Sequence, residues 1–148
     1  MKALTVLQPW ASLIAIGAKR IETRSWYTNY RGPLAIHAGK KMTHEQVLLA
    51  ILDSTGRQRQ FQNRWDSFYT LGCVIATATM LDCLPMESYR CLPGVFDDYP
   101  ELDTPEERAC GDFSPGRWAW VLTDVKPLEK PIPAKGAQGL WNWNGGVR

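Results

Sequence analysis

The chain has 148 residues, of which 45% are hydrophobic and 22% charged, with a formal net charge of +2 at pH 7. This length predicts one domain, spanning residues 1–148, with enough apolar sequence to fill a core. No apolar run approaches the roughly 18 residues of a membrane span, and no secretory signal peptide is evident. The four cysteines lack C-x-x-C spacing, which argues against a zinc ribbon, a thioredoxin-like motif or a disulfide scaffold. We therefore expect a cytoplasmic protein with reduced thiols and no membrane partner.

The first 42 residues show the patterns of one helix and three strands. Pro9 suits the first position of a helix that Gly17 ends. Trp10, Leu13 and Ile14 recur at helical spacing and form its apolar face. The strands are predicted at residues 3–6, 19–24 and 33–38.

The rest of the chain is predicted to add helices, a central strand and a long polar excursion. A helix begins at Thr43, because Thr43 and Gln46 form a capping-box pattern, and a shorter helix covers residues 61–69. Residues 71–81 are rich in the β-branched and small side chains of a central strand. Acids and prolines over about 84–116 predict a long surface excursion. A strand at 117–124 and a proline-broken edge strand at 125–132 follow, and residues 138–143 close the chain.

These elements predict an α+β domain built around a small, strongly bent sheet or barrel. The strands and helices do not alternate as βαβ units, which disfavours a Rossmann-like parallel sheet. The chain also lacks the glycine-rich G-x-G-x-x-G pattern and a phosphate loop, which disfavours an enzyme with a nucleotide cofactor.

The charges are segregated along the chain. Residues 17–41 contain six bases and one acid, whereas residues 86–112 contain eight acids and two bases. The chain also contains seven tryptophans, whose rings can stack on nucleobases as well as fill a core. Basic segments with nearby aromatic residues suit a polyanion such as nucleic acid. An ordinary solvated surface explains the same charges equally well.

The densest group of polar residues follows the pattern Gly17-x-Lys19-x-x-Glu22-x-Arg24. A glycine turn brings Lys19 to the start of a strand, and Glu22 and Arg24 then project from one face of that strand. A lysine, a carboxylate and a guanidinium within about 7 Å can pair with one another and bind a phosphate or a carbonyl group. A solvent-facing alternation of charges is the alternative explanation.

The same residues match the G-x-K-x-x-E-x-R signature of the ASCH domain, the activating signal cointegrator homology domain. The chain resembles that family from about residue 3 to residue 143, with a variable middle. Besides the motif, the agreement covers residues 8–13, 25–27, 31–32, 34–38, 116–120 and 136–141.

The resemblance implies a small PUA-like β-barrel flanked by helices, with the motif lining a groove. It also implies that Lys19 and Glu22 lie within hydrogen-bond or one-water reach of each other. It implies that the groove receives RNA, single-stranded nucleic acid or a modified, nucleoside-like small molecule. Neither a cofactor nor a metal is expected, and the chain has only two histidines. Besides Lys19 and Glu22, the expected ligand contacts are Gln8, Pro9, Trp10, Gly17, Arg24, Trp26, Arg31, Lys40, Lys41 and Arg117.

A metal-independent hydrolase is the alternative function, because the resemblance extends to acetylcytidine amidohydrolases and to ribonucleases. Those amidohydrolases carry a threonine three residues after the lysine, where this chain has Glu22. Lys19 would then act as the base and Glu22 would orient a water, with Glu107 as a second carboxylate. Lys19→Ala is expected to leave the fold intact, because the motif is expected at a cleft. A third possibility is an interaction module that contacts a protein partner through the acidic segment.

Overall fold

The computed structural model describes residues 1–42, 70–87 and 94–145. Within these ranges the chain forms six strands, three short α-helices and one 3₁₀ turn. The strands are β1 (Lys2–Gln8), β2 (Ile21–Arg24), β3 (Gly32–Met42), β4 (Cys73–Pro85), β5 (Trp118–Pro133) and β6 (Leu140–Asn142). The helices are α1 (Trp10–Ala15), α2 (Val95–Asp98) and α3 (Pro105–Ala109), and the 3₁₀ turn is Pro100–Leu102. None of the helices in these ranges is long and apolar enough to cross a membrane.

The strands form one mixed sheet in the order β2-β5-β4-β3-β1-β6, in which only β1 and β3 are parallel. Arg24 on β2 donates a hydrogen bond of 2.8 Å to the carbonyl of Thr5 on β1, so the sheet bends enough to bring these two strands together. Three strands separate β2 from β1 in the sheet order. No backbone ladder among the described strands joins β2 to β1 or β6, so the sheet stays open and the predicted closed barrel is not confirmed.

The main core lies between α1 and the sheet. It includes Leu4, Ile14, Trp120 and Leu122, all at most 1% exposed. The apolar face predicted for α1 is confirmed for Leu13 and Ile14, which are fully buried, whereas Trp10 is only half-buried. The helix begins at Trp10, however, with Pro9 at the N-cap position and not inside the first turn.

The acidic segment is the main correction to the predicted fold. Leu84 and Pro85 still belong to β4, and residues 94–112, which we call the helical cap, contain α2, the 3₁₀ turn and α3. Val95 and Leu102 of the cap are buried in a second apolar cluster with Ile21 of β2. This part of the predicted surface excursion is therefore packed structure.

The acids and prolines that predicted a loop instead begin short helices. The side chain of Thr104 caps α3 by accepting a hydrogen bond from the amide of Glu107 at 3.1 Å, and Pro105 occupies the first turn. Asp97 likewise accepts a hydrogen bond from the amide of Gly94 at 2.7 Å.

Two further predictions differ from the structure in their bounds. The strands predicted at 117–124 and 125–132 are one continuous strand, β5, which contains Asp124 at a positive φ of 49°.

The predicted helix at Thr43 and the one at 61–69 lie outside the described residues.

Candidate functional site

A cavity of about 480 Å³ opens where the free edges of β1 and β2 approach each other. β6 pairs only with residues 2–4 of β1, so the following residues of β1 face β2 without an intervening strand. The end of the helical cap closes one side. The cavity is lined by Thr5, Leu7, Trp10, Lys19, Glu22, Thr23, Arg24, Ala109, Cys110, Gly111, Asp112 and Arg117.

Two arginines at this cavity are held by backbone carbonyl groups. Arg24 donates from Nη2 to the carbonyl of Thr5 at 2.8 Å, and Arg117 donates from Nη2 to the carbonyl of Thr23 at 3.2 Å. Their side chains remain 25% and 28% exposed. Because each guanidinium has five N–H donors, anchoring through one nitrogen leaves others for a ligand.

Lys19 is fully enclosed below the cavity surface, with only 1% of its area exposed. Its Nζ donates hydrogen bonds to the carbonyls of Ile21 and Cys110, the latter at 2.7 Å. It also forms an ion pair with Glu22, with Nζ and Oε2 3.5 Å apart. The predicted proximity of Lys19 and Glu22 is therefore confirmed. Lys19 lines the cavity as expected, but its ammonium group is buried and joins β2 to the cap, so it is not a solvent-exposed cleft residue.

Glu22 connects the charges of the motif. Its Oε1 lies 3.0 Å from Nη2 of Arg24, while Oε2 faces Lys19. Its side chain is 10% exposed, and it pairs in register with Trp120 on β5. Lys19 Nζ also lies 6.0 Å from the ring centroid of Trp10, within the range of a cation–π contact. The cavity therefore combines an aromatic wall with a carboxylate that is paired on both sides.

The lining charges leave the cavity mildly positive. Lys19, Arg24 and Arg117 contribute three positive charges, and Glu22 and Asp112 contribute two negative ones. Asp112 lies 3.4 Å from Nε of Arg117. Its pKa is held below the usual value, first by hydrogen bonds from the side chain and backbone of Ser114. Both carboxylates are therefore engaged by cationic or N–H donors.

Thr23 and Cys110, which carry a hydroxyl and a thiol, are also among the lining residues. A side-chain carbon at Gly111 would lie 3.1 Å from the Thr23 methyl and 3.3 Å from Lys19 Nζ, so the methyl and the ammonium group converge on this glycine. Burial raises the pKa of the Cys110 thiol to about 11. The thiolate that a nucleophile requires is therefore scarce at neutral pH.

Several predicted ligand contacts are placed inside the fold instead. Gln8 is fully buried, and its Oε1 accepts a hydrogen bond from the amide of Ser12 at 3.1 Å, which caps the first turn of α1. Pro9 is buried beside it. Trp26 packs edge-on against Trp120, with ring centroids 4.6 Å apart. These three residues do not line the cavity, because their side chains complete α1 and the core.

Gly17, Arg31, Lys40 and Lys41 also lie outside the cavity lining. Gly17 adopts a positive φ of 73° after α1, so its role there is the turn. Arg31 forms an ion pair with Asp82 at 2.7 Å. Lys40 and Lys41 are exposed near the end of β3.

Glu107 is placed behind the motif and does not line this cavity. Its two oxygens accept hydrogen bonds from the amides of Arg20 and Ile21, each at 2.8 Å. Burial raises the pKa of its carboxyl group, against the opposing effects of Lys19 and of the two amides. The carboxylate thus fixes the start of β2 from α3, and the geometry gives it no contact with a ligand in the cavity.

Sequence reasoning did not single out Thr5 and Leu7, which form the β1 side of the cavity. A signal for Leu7 was present in the strand alternation, because Leu4 and Val6 point to one face and place Leu7 on the other. In the structure Leu4 and Val6 are buried and Leu7 is 43% exposed. The role of Thr5 rests on its backbone carbonyl, which the side-chain pattern cannot reveal.

Comparison with known proteins identifies the family. The profile of the ASCH domain matches residues 4–132. The chain belongs to the ASCH family. Activating signal cointegrator 1 from Homo sapiens is 28% identical over 138 residues, and the protein of the same name from Mus musculus is 29% identical over 144 residues. Each match covers 93% of this chain, but the chain spans only 21% of the length of either relative.

The fold is also similar to that of a solved ASCH protein. The crystal structure of a mutant ASCH protein from Zymomonas mobilis has a TM-score of 0.54 to this chain, with 15% sequence identity. The similarity covers 98% of this chain and 91% of the other. At this identity the comparison supports the ASCH fold alone.

Proposed function

We propose that the cavity of this ASCH domain binds single-stranded nucleic acid or a modified nucleotide. One observation carries the proposal: two guanidinium groups, from Arg24 and Arg117, are fixed by backbone carbonyls beside a cavity of about 480 Å³. Arginine forks of this kind match the oxygens of a phosphate group. Since their anchoring precedes binding, little side-chain entropy is lost when a ligand arrives.

The rest of the lining suits a nucleobase. Trp10 provides an aromatic wall on which a base can stack. Glu22 retains acceptor lone pairs beyond its contacts with Lys19 and Arg24, and these can accept hydrogen bonds from the N–H groups of a base. A volume near 480 Å³ falls within the usual range for a small ligand, about 300–1,000 Å³.

Hydrolysis has less support from the same geometry. A lysine that acts as a general base needs a free lone pair directed at the substrate. Lys19 instead directs its N–H groups toward two carbonyls and Glu22. These contacts support an anchoring role for Lys19. We therefore propose binding as the function in preference to hydrolysis.

The test measures binding of a fluorescein-labelled eight-nucleotide RNA by anisotropy over a range of salt concentrations. Arg24→Gln and Arg117→Gln should each weaken binding about tenfold or more at low salt and reduce the salt slope by about one. Arg108→Gln is the matched control, because Arg108 pairs with Asp103 on the exposed side of the cap. Unchanged binding in both cavity variants would contradict the proposal. Turnover of acylated nucleosides by the wild type would favour the hydrolase instead.

A further inference from the structure

An exposed aromatic pair lies outside the cavity. Tyr27 is 46% exposed, and among the described residues it is the one aromatic side chain on which more than a third of the area faces solvent. Its ring lies 4.8 Å from that of Trp118, measured between centroids, at an interplanar angle of 60°. Trp118 is itself half-buried against the main core, so the core holds the pair in place.

This pair lies next to the arginines of the cavity. Trp118 pairs in register with Arg24 across β2 and β5, and such neighbours have Cβ atoms about 5 Å apart. Arg117 directly precedes Trp118 in the chain. The aromatic surface therefore continues from the two guanidinium groups that we assign to phosphate.

A third guanidinium is bound next to Tyr27 in the chain. Arg31 donates from Nη1 to the carbonyl of Thr28, the residue that follows Tyr27, at 3.0 Å. Its ion pair with Asp82 is exposed, with side chains 35% and 31% accessible. Exposed pairs of this kind contribute little energy and exchange readily with a competing anion. Guanidinium groups are thus held near both residues of the pair, with Arg24 and Arg117 beside Trp118 and Arg31 bound to the residue after Tyr27. A single strand, in which phosphates and bases alternate, suits such an arrangement.

We propose that Tyr27 and Trp118 form a second base-stacking subsite, so that the ligand is an oligonucleotide and not a single nucleotide. This inference rests on the proposed function. One nucleotide occupies the cavity, its phosphate contacts Arg24 and Arg117, and the adjacent base stacks on the exposed ring of Tyr27. Arg31 contacts the next phosphate in place of Asp82.

The experiment compares two probes, the labelled eight-nucleotide RNA and a mixture of the four 5′-mononucleotides. Wild-type protein should bind the octamer more tightly. Tyr27→Ala should weaken octamer binding about tenfold, within the range of one lost stacking contact, and leave mononucleotide binding unchanged. Tyr27→Phe should retain the wild-type affinity, because the phenyl ring preserves the stacking surface. Leu71→Ala is the control for loss of an exposed apolar side chain, since Leu71 is 41% exposed.

The outcomes separate this inference from the proposed function. If Arg24→Gln weakens both probes while Tyr27→Ala weakens neither, the cavity binds nucleotides and the second subsite is wrong. If Tyr27→Ala weakens both probes equally, Tyr27 belongs to the cavity and the second subsite is again wrong. If the wild type binds neither probe, both proposals fail. A second readout uses an octamer carrying 2-aminopurine, whose fluorescence should be quenched by the wild type and by Tyr27→Phe but not by Tyr27→Ala.

Discussion

Lys19 contributes to both the fold and the geometry of the cavity through one side chain. Its buried ammonium group contacts Ile21 and Glu22 of β2 and the carbonyl of Cys110 in the helical cap. A buried charge is tolerated only when it is paired and hydrogen-bonded. Because Glu22 is one of the partners, the same contacts that dock the cap also orient the carboxylate in the cavity.

We predict that Lys19→Met destabilises the fold by about 2–4 kcal/mol, because it leaves two carbonyls and a carboxylate without their buried donor. Methionine keeps the length and apolar body of the side chain, so the loss reports mainly on the ammonium group. Urea unfolding followed by tryptophan fluorescence measures the change. Lys40→Met, at an exposed position, should shift the unfolding free energy by less than about 0.5 kcal/mol. Equal stability of the two variants would contradict the anchoring role of Lys19.

Glu107 gives a pH-dependent prediction. Burial raises the pKa of this carboxyl group above its ordinary value of 4.5, so the folded state binds more protons than the unfolded state. The resulting contribution to stability is fully present below pH 4.5 and is lost as the pH rises through the folded-state pKa. Glu107→Gln should remove this decline with pH.

At pH 7 the same substitution should lower stability by about 1–3 kcal/mol, because the amide offers one acceptor oxygen to the two backbone amides of Arg20 and Ile21. The measurement is urea unfolding at a series of pH values. Glu106→Gln, at the exposed neighbouring position on α3, is the control. A pH dependence in Glu107→Gln that matches the wild type would show that another group titrates.

At the scale of elements, the cavity depends on a segment that does not line it. Residues 134–143 run across β1 and β3, where Trp141 donates a hydrogen bond to Oγ1 of Thr5 at 3.2 Å. The carbonyl of the same Thr5 anchors Arg24. His37 on β3 contacts this segment through the carbonyl of Ala134 at 3.1 Å. Through these contacts, the segment holds β1 and β3 in place next to the cavity.

Gly136 tests this support, because its backbone lies directly against β1 and β3. A side-chain carbon there would lie 2.7 Å from Nδ1 of His37 and 2.8 Å from Oγ1 of Thr5. We predict that Gly136→Ala destabilises the protein by about 1–3 kcal/mol, as overpacking does. Gly39→Ala is the matched control, since its nearest contact is 3.3 Å from the flexible end of Leu7. Thermal unfolding compares the two, and similar melting temperatures would contradict the close packing of the segment.

At the scale of the whole molecule, local sequence patterns were enough to identify the motif. They did not reveal which distant residues surround it in the fold. The strand spacing of Lys19 and Glu22 allowed them to pair, and the match to the G-x-K-x-x-E-x-R signature led to the prediction of their contact. Lys19 binds the carbonyl of Cys110, and Glu107 binds the amides at the start of β2. The two partners in each of these contacts lie 86 to 91 residues apart in the chain. No local pattern contains that information. The sequence therefore does not distinguish a lysine that is a buried structural residue from one that is an exposed general base. The helical cap was missed for a related reason, since its helices of four and five residues are too short to show periodicity.

The global charge distribution leads to the last prediction. Lys40 and Lys41 do not line the cavity, but they lie on the part of β3 that runs beside its rim. Gly39 packs against Leu7, and Met42 pairs with Gln8 at the end of β1. Exposed cations at this position attract a polyanion over about 10 Å at 0.1 M salt. We predict that neutralising both lysines to glutamine weakens RNA binding mainly at low salt and flattens the salt slope by roughly one to two units.

The control must separate local attraction from net charge. Neutralising Lys126 and Lys130 on β5 also removes two positive charges, so it lowers the net charge of +2 by the same amount. These residues are exposed, and the neighbouring Pro127 pairs with Ala76, far along β5 from the Arg117 end that meets the cavity. Fluorescence anisotropy with the labelled octamer, repeated from 50 to about 300 mM salt, gives both slopes. If the two double variants flatten the slope equally, the binding reports the total charge of the protein; if only the Lys40 and Lys41 variant does so, the RNA leaves the cavity along the β3 side of its rim.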